Sequence, residues 1–356
     1  MKVAIVYNDI SVSKISVSHN KSEDNLNFEP HFEIEDYDSE SEFNLIASLL
    51  IKSGYEAYTL NIKDNIKIFL DDYKKNKPDV VFNLVELFRD TPSLEMSFCG
   101  LLELLNIPYT GAPPITLGTC QNKVLTKGIL SSNGIRTPKF IYIKEPKNDY
   151  PNDLQFPVIV KPSLEDASVG IDVDAVVENY DKLKKRINYI FKEYKQPVLV
   201  EEFIEGRELN VAVVGDRRPK VLPISEIDFS EMPDNLYNFV SYQAKWDPYH
   251  ESYHKTIPVC PSQLPRRIEI TVHETALRCF HLLGLRDYAR IDMRLSKDNK
   301  IYVLEANPNP DLTEDAGFIR SMKAAKYSYR SSLKMIVDFA IKRNKRKNLI
   351  NASVEK

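Results

Sequence analysis

The sequence predicts an α/β protein in which an open parallel sheet is followed by α+β lobes built on antiparallel strands. Two observations predict it. Between Lys2 and Leu105, short apolar runs alternate with amphipathic helical segments, as when strands are buried on both faces by crossover helices. Further along, strands follow one another more closely and end in a hairpin, Ala289 to Pro310, which antiparallel pairing explains. The 356 residues suffice for two or three domains and a sizeable core. With 43% hydrophobic and 28% charged residues, the composition is that of a soluble globular protein. A net charge of −3 speaks against a nucleic-acid partner.

In chain order, KVAIVY (Lys2–Tyr7) reads as a buried strand, and the polar stretch from Asn8 to about Asp38 as a long loop. Ser39–Lys52 has helical spacing, with Ser39 as N-cap candidate and Gly54 as the stop. Tyr55–Asn61 and Pro78–Asn83 read as strands, and Asn65–Asn76 and Glu95–Leu105 as helices. Thr116–Asn133 reads as one helix with Lys123 in its middle, broken by Gly134 and Pro138. Phe156–Lys161 is a strand that delivers Lys161 to its end, followed by the loop Pro162–Gly170 and a short strand near Ile171. Asn179–Tyr194 is an amphipathic helix. Strands follow at Pro197–Glu201, Glu208–Gly215 and Val221–Asp228. Phe229 to Lys255 is irregular and aromatic, Pro258–Pro265 a proline-rich turn, and Arg266–Leu283 a long helix. Ala316–Lys345 reads as mostly helical, and the basic run Lys342–Lys347 as a solvated end.

No apolar run approaches the ~18–20 residues of a membrane span, and MKVAIVYNDI is too short an apolar run for a signal peptide. Cys99, Cys120, Cys260 and Cys279 show no C-x-x-C spacing, which predicts buried thiols in a reducing compartment. A cytoplasmic protein with no membrane partner is the expectation.

The hairpin carries the densest chemistry. Arg290 to Leu295 alternates, SKDNK turns, and Ile301–Leu304 returns towards Glu305 and Asn307. Antiparallel pairing lets Asp292, Glu305 and Asn307 reach one side, with Arg290 two residues before Asp292 on the same face. Two carboxylates and an amide oxygen form a hard, oxygen-only set suited to Mg²⁺ with nucleotide phosphates. The same residues also fit a solvated hairpin whose charges only keep it soluble. His250–His254 (HESYH) matches a zinc pattern, but Pro248 and the crowding aromatics oppose the helix that pattern needs. A partly exposed histidine pair is the expectation there.

Taken together, DVVFNLVE, LLELLNIPYTGA, Lys123 in NKVLTK, VIVKPSLEDASVG, VLVEEFIEGRELNVAVVG, YQAKW, ARIDM and VLEANPNP resemble the ATP-grasp superfamily. Within it they are most similar to the D-alanine–D-alanine ligase branch. The resemblance implies three domains: 1–115 before the grasp, a small lobe at 116–205, and a C-terminal lobe at 206–345, with 346–356 as a tail. It implies ATP held between two antiparallel sheets, with Mg²⁺ (Mn²⁺ as the alternative). A carboxylate is activated as an acyl phosphate that an amine then attacks.

By the same resemblance, Lys123, Lys161 and Ser168 meet the phosphates. Glu201, Glu202, Phe203 and Ile204 form the adenine hinge, where a carboxylate and backbone groups read the base. Glu208 takes the ribose, Lys245 sits in a lid over the γ-phosphate, and Arg290 stabilises the tetrahedral intermediate. Asp292, Glu305 and Asn307 hold the metal. Small-molecule carboxylate and amine substrates are implied, and a homodimer is common in the branch.

The departures lie on the substrate side. NDISVSKISVSHN stands where the branch has an acidic residue in a Gly- and Ser-containing turn, with Glu33 or Glu35 as candidate replacements. Ala167 replaces a serine, Trp246 a tyrosine, and Asp311 a glycine. A negative charge at 311 disfavours a substrate carboxylate and favours an ammonium group. The expected product is therefore not plain D-alanyl-D-alanine. The alternatives are a true D-alanine–D-alanine ligase with altered contacts, or a non-catalytic ATP-binding protein.

Overall fold

The computed structural model describes residues 1–9, 28, 31–32, 39–151, 153–165 and 168–354. The first sheet is parallel, in the order β2 (Glu56–Asn61), β1 (Lys2–Tyr7), β3 (Val80–Leu84). Helices α1 (Ser39–Ile51), α2 (Ile66–Asn76) and α3 (Glu95–Leu104) accompany it. Strands β1 and β3 are buried almost throughout, which is why both read as unbroken apolar runs. Asn65 caps α2 by accepting from the Lys67 amide, as its place before the helix foretells.

The chain then crosses α4 (Pro114–Gln121) and α5 (Lys123–Ser132). The single helix expected over Thr116–Asn133 is thus two. Asn122 adopts an extended conformation (φ −82°, ψ 91°), and its side chain caps the second helix at the Leu125 amide. Lys123 therefore opens a helix rather than sitting inside one, with its ammonium buried against the Glu165 carbonyl and near Glu305.

The second sheet is antiparallel, in the order β4 (Phe140–Ile143), β7 (Val198–Glu202), β5 (Val158–Pro162), β6 (Val176–Val177), with α6 (Tyr180–Tyr194) packed on it. Strand β4 was not foreseen, and the strand expected near Ile171 forms at Val176–Val177 instead. Residues 168–170 turn, with Ser168 at φ 63° and Gly170 at φ 74°. A Cβ on Gly170 would come within 2.4 Å of Pro162 Cγ, so this close approach requires glycine.

The third sheet carries β8 (Gly206–Gly215), β9 (Lys220–Val221), β10 (Ser225–Asp228), β11 (Ile257–Val259), β12 (Asp287–Ser296) and β13 (Ile301–Asn307), ordered β11-β10-β8-β12-β13 with β9 beside β8. Leu222-Pro223-Ile224 divides the strand expected over Val221–Asp228, and part of the expected proline-rich turn pairs as β11. Two short helices, α7 (Tyr242–Trp246) and α8 (Glu251–His254), punctuate the segment expected to be irregular. Helix α9 (Arg266–Leu282) covers one face of the sheet, and α10 (Gly317–Ala324) and α11 (Tyr329–Val354) close the fold. Among the described residues no helix is long and apolar enough to cross a membrane. The cysteines are free thiols; Cys99, Cys120 and Cys279 are buried, whereas Cys260 is half-buried, contrary to the expectation of four buried thiols.

Two cores decide what is stiff. Val3, Ile5 and Phe82 of the parallel sheet share one core with Ala212, Tyr288, Phe318 and Leu333. The seam beside it is polar and tight. Gly111 N donates to Asp287 Oδ2 at 3.0 Å, Arg286 Nε donates to Gly111 O at 2.6 Å, and Arg343 pairs with Asp287. The small sheet, by contrast, has its own core of Val158, Val160, Val198, Val200 and Ile187.

Candidate active site

Strand register builds the site. Asn210, Asp292 and Glu305 are cross-strand partners on β8, β12 and β13; Glu208 pairs with Arg294, and Arg290 with Asn307. Alternation places these polar groups on one face of the sheet and Leu209, Val211, Ile291 and Met293 in the core behind it. Arg290 grips Asp292 with both arms, Nε to Oδ1 at 2.7 Å and Nη2 to Oδ2 at 2.8 Å. Asn210 Nδ2 (3.0 Å) and Asn307 Nδ2 (2.9 Å) also donate to the Asp292 carboxylate. A bulge after Asp292 shifts the register.

Cations surround Glu305. Lys123 Nζ lies 3.7 Å from Glu305 Oε2 and donates to the Glu165 carbonyl at 2.6 Å. Burial raises the Glu305 carboxyl, but Lys123 first, and then Lys161, Arg290 and Lys245, outweigh it and hold it down to about 2. Lys245 comes from α7, whose N-cap is Ser241. Burial and then Arg290 push its ammonium down, opposed by Glu305, Asp311 and Asp292. Lys123, Lys245, Arg290, Asp292, Glu305 and Asn307 therefore gather in one cleft.

Other expected residues are engaged elsewhere. The Glu201 carboxylate, expected at the adenine hinge, is enclosed by cations. It is 1% exposed and held between Lys127 Nζ and Lys161 Nζ, each at 2.6 Å. Lys161 is thus a buried partner of Glu201 rather than an unpaired charge at a strand end. Glu202 lies 3.9 Å from Lys139, and Ile204 is half-buried. Glu208 Oε2 pairs with Arg294 at 3.0 Å, and burial, with Arg294 opposing, raises its carboxyl. Phe203 packs edge-on against Tyr237 and Phe239, under the Arg294 guanidinium. Ser168 Oγ donates to Val240 O at 3.1 Å, and Tyr242 N to Ile171 O at 2.8 Å, so the turn at 168–171 is joined to the start of α7. Asp311 folds back on Thr313, accepting from its amide at 2.8 Å and its hydroxyl at 3.1 Å.

A family model described as D-ala D-ala ligase C-terminus matches residues 129–338. The chain belongs to the D-alanine–D-alanine ligase family. A D-alanine–D-alanine ligase of Desulforudis audaxviator is 33% identical over 250 residues, covering 68% of this chain and 76% of that one. An uncharacterized protein of Sinorhizobium fredii, y4sG, is 31% identical over 267 residues, covering 74% and 75%. The crystal structure of a Bacillus anthracis D-alanine–D-alanine ligase superposes with TM-score 0.73 at 26% identity, covering 98% of this chain and 99% of that one. That enzyme complexed with ATP gives 0.72 at 24% identity and the same coverage. The fold is ATP-grasp, and at the family level the chain is an ATP-dependent ligase.

Within this family frame, four site residues escaped the sequence reading. Asn210 and Arg294 carried a signal, because each stands two residues from a chosen carboxylate on the same strand face, Glu208 and Asp292 respectively. Lys127 carried none, since a helical lysine reads as solvated; here it is fully buried, and burial lowers its pKa to about 8 against the pull of Glu201. Arg320 lies across Gly317 from Arg290. A Cβ at 317 would sit 3.9 Å from Arg290 Cδ, Arg320 Nη1 and Asn210 Oδ1, an ordinary contact distance, so these three side chains border the same spot. Ala167, Glu33 and Glu35 lie outside the described residues.

Proposed function

We propose that the protein is an ATP- and Mg²⁺-dependent carboxylate–amine ligase that works through an acyl phosphate, with a product other than D-alanyl-D-alanine. The observation that carries the chemistry is the convergence of Lys123, Lys245 and Arg290 on the Glu305–Asp292 pair. Three cations around two carboxylates suit a polyphosphate whose charge is shared with a divalent metal.

The donor set fits Mg²⁺. Asp292, Glu305 and the Asn307 amide oxygen are hard oxygen donors on adjacent strands. Among the described residues no three His, Cys, Asp or Glu side chains form a metal cage, so these groups would hold a metal together with nucleotide phosphates. When bound, Mg²⁺ neutralises phosphate charge during transfer. Lys123 and Lys245 then orient the phosphates as point charges, and the lid excludes water from the acyl phosphate. Arg290, fixed by Asp292, faces the oxyanion that forms when the amine attacks. Lys161, tied to Glu201, contributes through its field rather than by direct reach.

The acceptor reading rests on Asp311. Its carboxylate supports the charged forms of Lys245 and Arg290, and the exposed Glu86 lies within the field of both Asp311 and Lys245. Glu86 and Asp311 thus place negative charge beside the cations, which favours an acceptor bearing an ammonium group. A different amino acid, a peptide or a polyamine fits.

The test is phosphate release from ATP–Mg²⁺ against a panel of amino acids, D-amino acids, short peptides and polyamines, with products read by mass spectrometry. A product equal to two components minus water, with ADP, is the expected result. Turnover of D-alanine alone to its dimer would overturn the acceptor reading, and ATP binding without turnover would overturn the ligase reading.

A further inference from the structure

Two features find no use in that chemistry: the HESYH histidines and the segment that follows β1. The structure joins them. His254 is fully buried, not partly exposed as expected. Its Nε2 donates to the Pro248 carbonyl at 2.8 Å, which fixes the proton on that nitrogen and leaves Nδ1 as an acceptor. Nδ1 accepts from the backbone amides of His31 (3.0 Å) and Phe32 (3.1 Å), more than 220 residues earlier in the chain. Aromatic rings close around it. Phe28 lies 5.3 Å away and Phe32 6.1 Å away, and Phe32 also meets Tyr253 edge-on at 5.8 Å. His250 does something different: it caps α8 at the Ser252 amide.

We propose that Phe28, His31 and Phe32 form a strap whose docking on His254 holds the lid where Lys245 meets Arg290 and Glu305, making His254 a positioning residue for Lys245. Helix α7 has five residues and α8 has four, too few to hold their own place in water. Lys245 is therefore placed by what anchors the lid on either side. On one side, Val240 and Tyr242 bond to the loop at Ser168 and Ile171. On the other, nine residues beyond Lys245, the anchor is His254 and the strap. Because these three residues follow β1 in the chain, lid closure and their docking are one event. Only the assignment of Lys245 to a phosphate rests on the proposed function; the latch stands on the contacts themselves.

Trp246, the chain's one tryptophan, adjoins Lys245 and is 38% exposed, so it reports on the lid without any turnover. The experiment compares acrylamide quenching of Trp246 with amide exchange of peptides spanning 28–32 and 250–256. It uses the full-length protein with a non-hydrolysable ATP analogue and Mg²⁺. His254→Ala removes the acceptor, His254→Asn retains one, and Phe32→Ala loosens the strap while leaving every residue of 240–256 in place. In His254→Ala and Phe32→Ala, quenching should rise about twofold and exchange in both peptides about tenfold together, with His254→Asn restoring much of each. If Phe32→Ala, folded by its melting curve, speeds exchange at 28–32 yet leaves Trp246 at the wild-type level, the strap does not position the lid and the proposal fails. The same failure follows if His254→Ala frees one peptide and not the other. A coupled response in a protein that turns over nothing would leave the latch standing and overturn the ligase reading alone.

Discussion

Two lysine–glutamate arrangements stand close together in this molecule, and they are built for opposite purposes. In the small sheet, Glu201 lies between Lys127 and Lys161 at 2.6 Å each, with all three side chains at most 8% exposed. In the cleft, Lys123 stands 3.7 Å from Glu305, a third of whose side chain is open to solvent. The first arrangement is closed: its charges answer one another. The second is loose and surrounded by further cations. A tight, dry ion pair is structure. An open, unbalanced one is a place kept for a ligand.

The largest expected effect tests the closed arrangement. Glu201→Gln leaves two buried ammonium groups without their counter-charge, at a cost of ~3–5 kcal/mol. Calorimetry should show a melting temperature lower by on the order of 5–10 °C. An unchanged melt with lost ATP binding would erase the distinction between the two arrangements. Next, Glu305→Gln should lower phosphate release by about 10²–10³-fold while shifting the melt by no more than about 2 °C. Asp292→Asn should lose as much activity but also melt lower, because it strips the largely buried Arg290 guanidinium of its partner. Full activity in either variant would falsify the metal assignment. Lys245→Met should lower kcat by about tenfold or more, with little change in ATP affinity, because the lid lysine acts on charge that develops late. Asp311→Gly should leave ATP affinity alone and move preference among acceptors by about tenfold toward those with a free carboxylate. An unchanged acceptor ranking would remove Asp311 from the specificity of the site.

The smallest effect is one of pH. Burial works against the Glu201 carboxylate, but Lys127 and Lys161 win and hold its pKa below the ordinary range. Its stabilising contribution is therefore full above the ordinary glutamate range and is lost as pH falls through the lower folded value. Melting curves taken down the acid limb should show this loss in wild type and not in Glu201→Gln.

The hairpin was legible because its signals are local. A period of two, a five-residue polar turn and two acidic ends need no knowledge of the rest of the chain, and the structure extends the second strand only to Asn307. The alternating strands and helices of the first sheet were legible for the same reason. What escaped depended on distant partners or on one side chain. Asn122 splits a helix by a single cap. Glu201 reads like any strand-end glutamate until Lys127, 74 residues earlier, is placed beside it. His254 reads as half of a metal motif until the backbone of His31 reaches it. The strand over Phe140–Ile143 has only four residues and no turn residues tight against it, too little for a periodic signal.

The core shared by β1, β3 and β12, sealed by the contacts of Gly111 with Asp287 and Arg286, makes two of the three sheets one solid block, while the small sheet keeps a core of its own. Mechanically the molecule should behave as an anvil and a single hammer. Substrates would settle on a floor that does not yield, and all the travel needed to admit ATP and expel ADP would fall to one lobe swinging on its connections. Dyes on α1 and α11 should keep their separation through a reaction cycle, whereas a dye on α6 should be seen to swing.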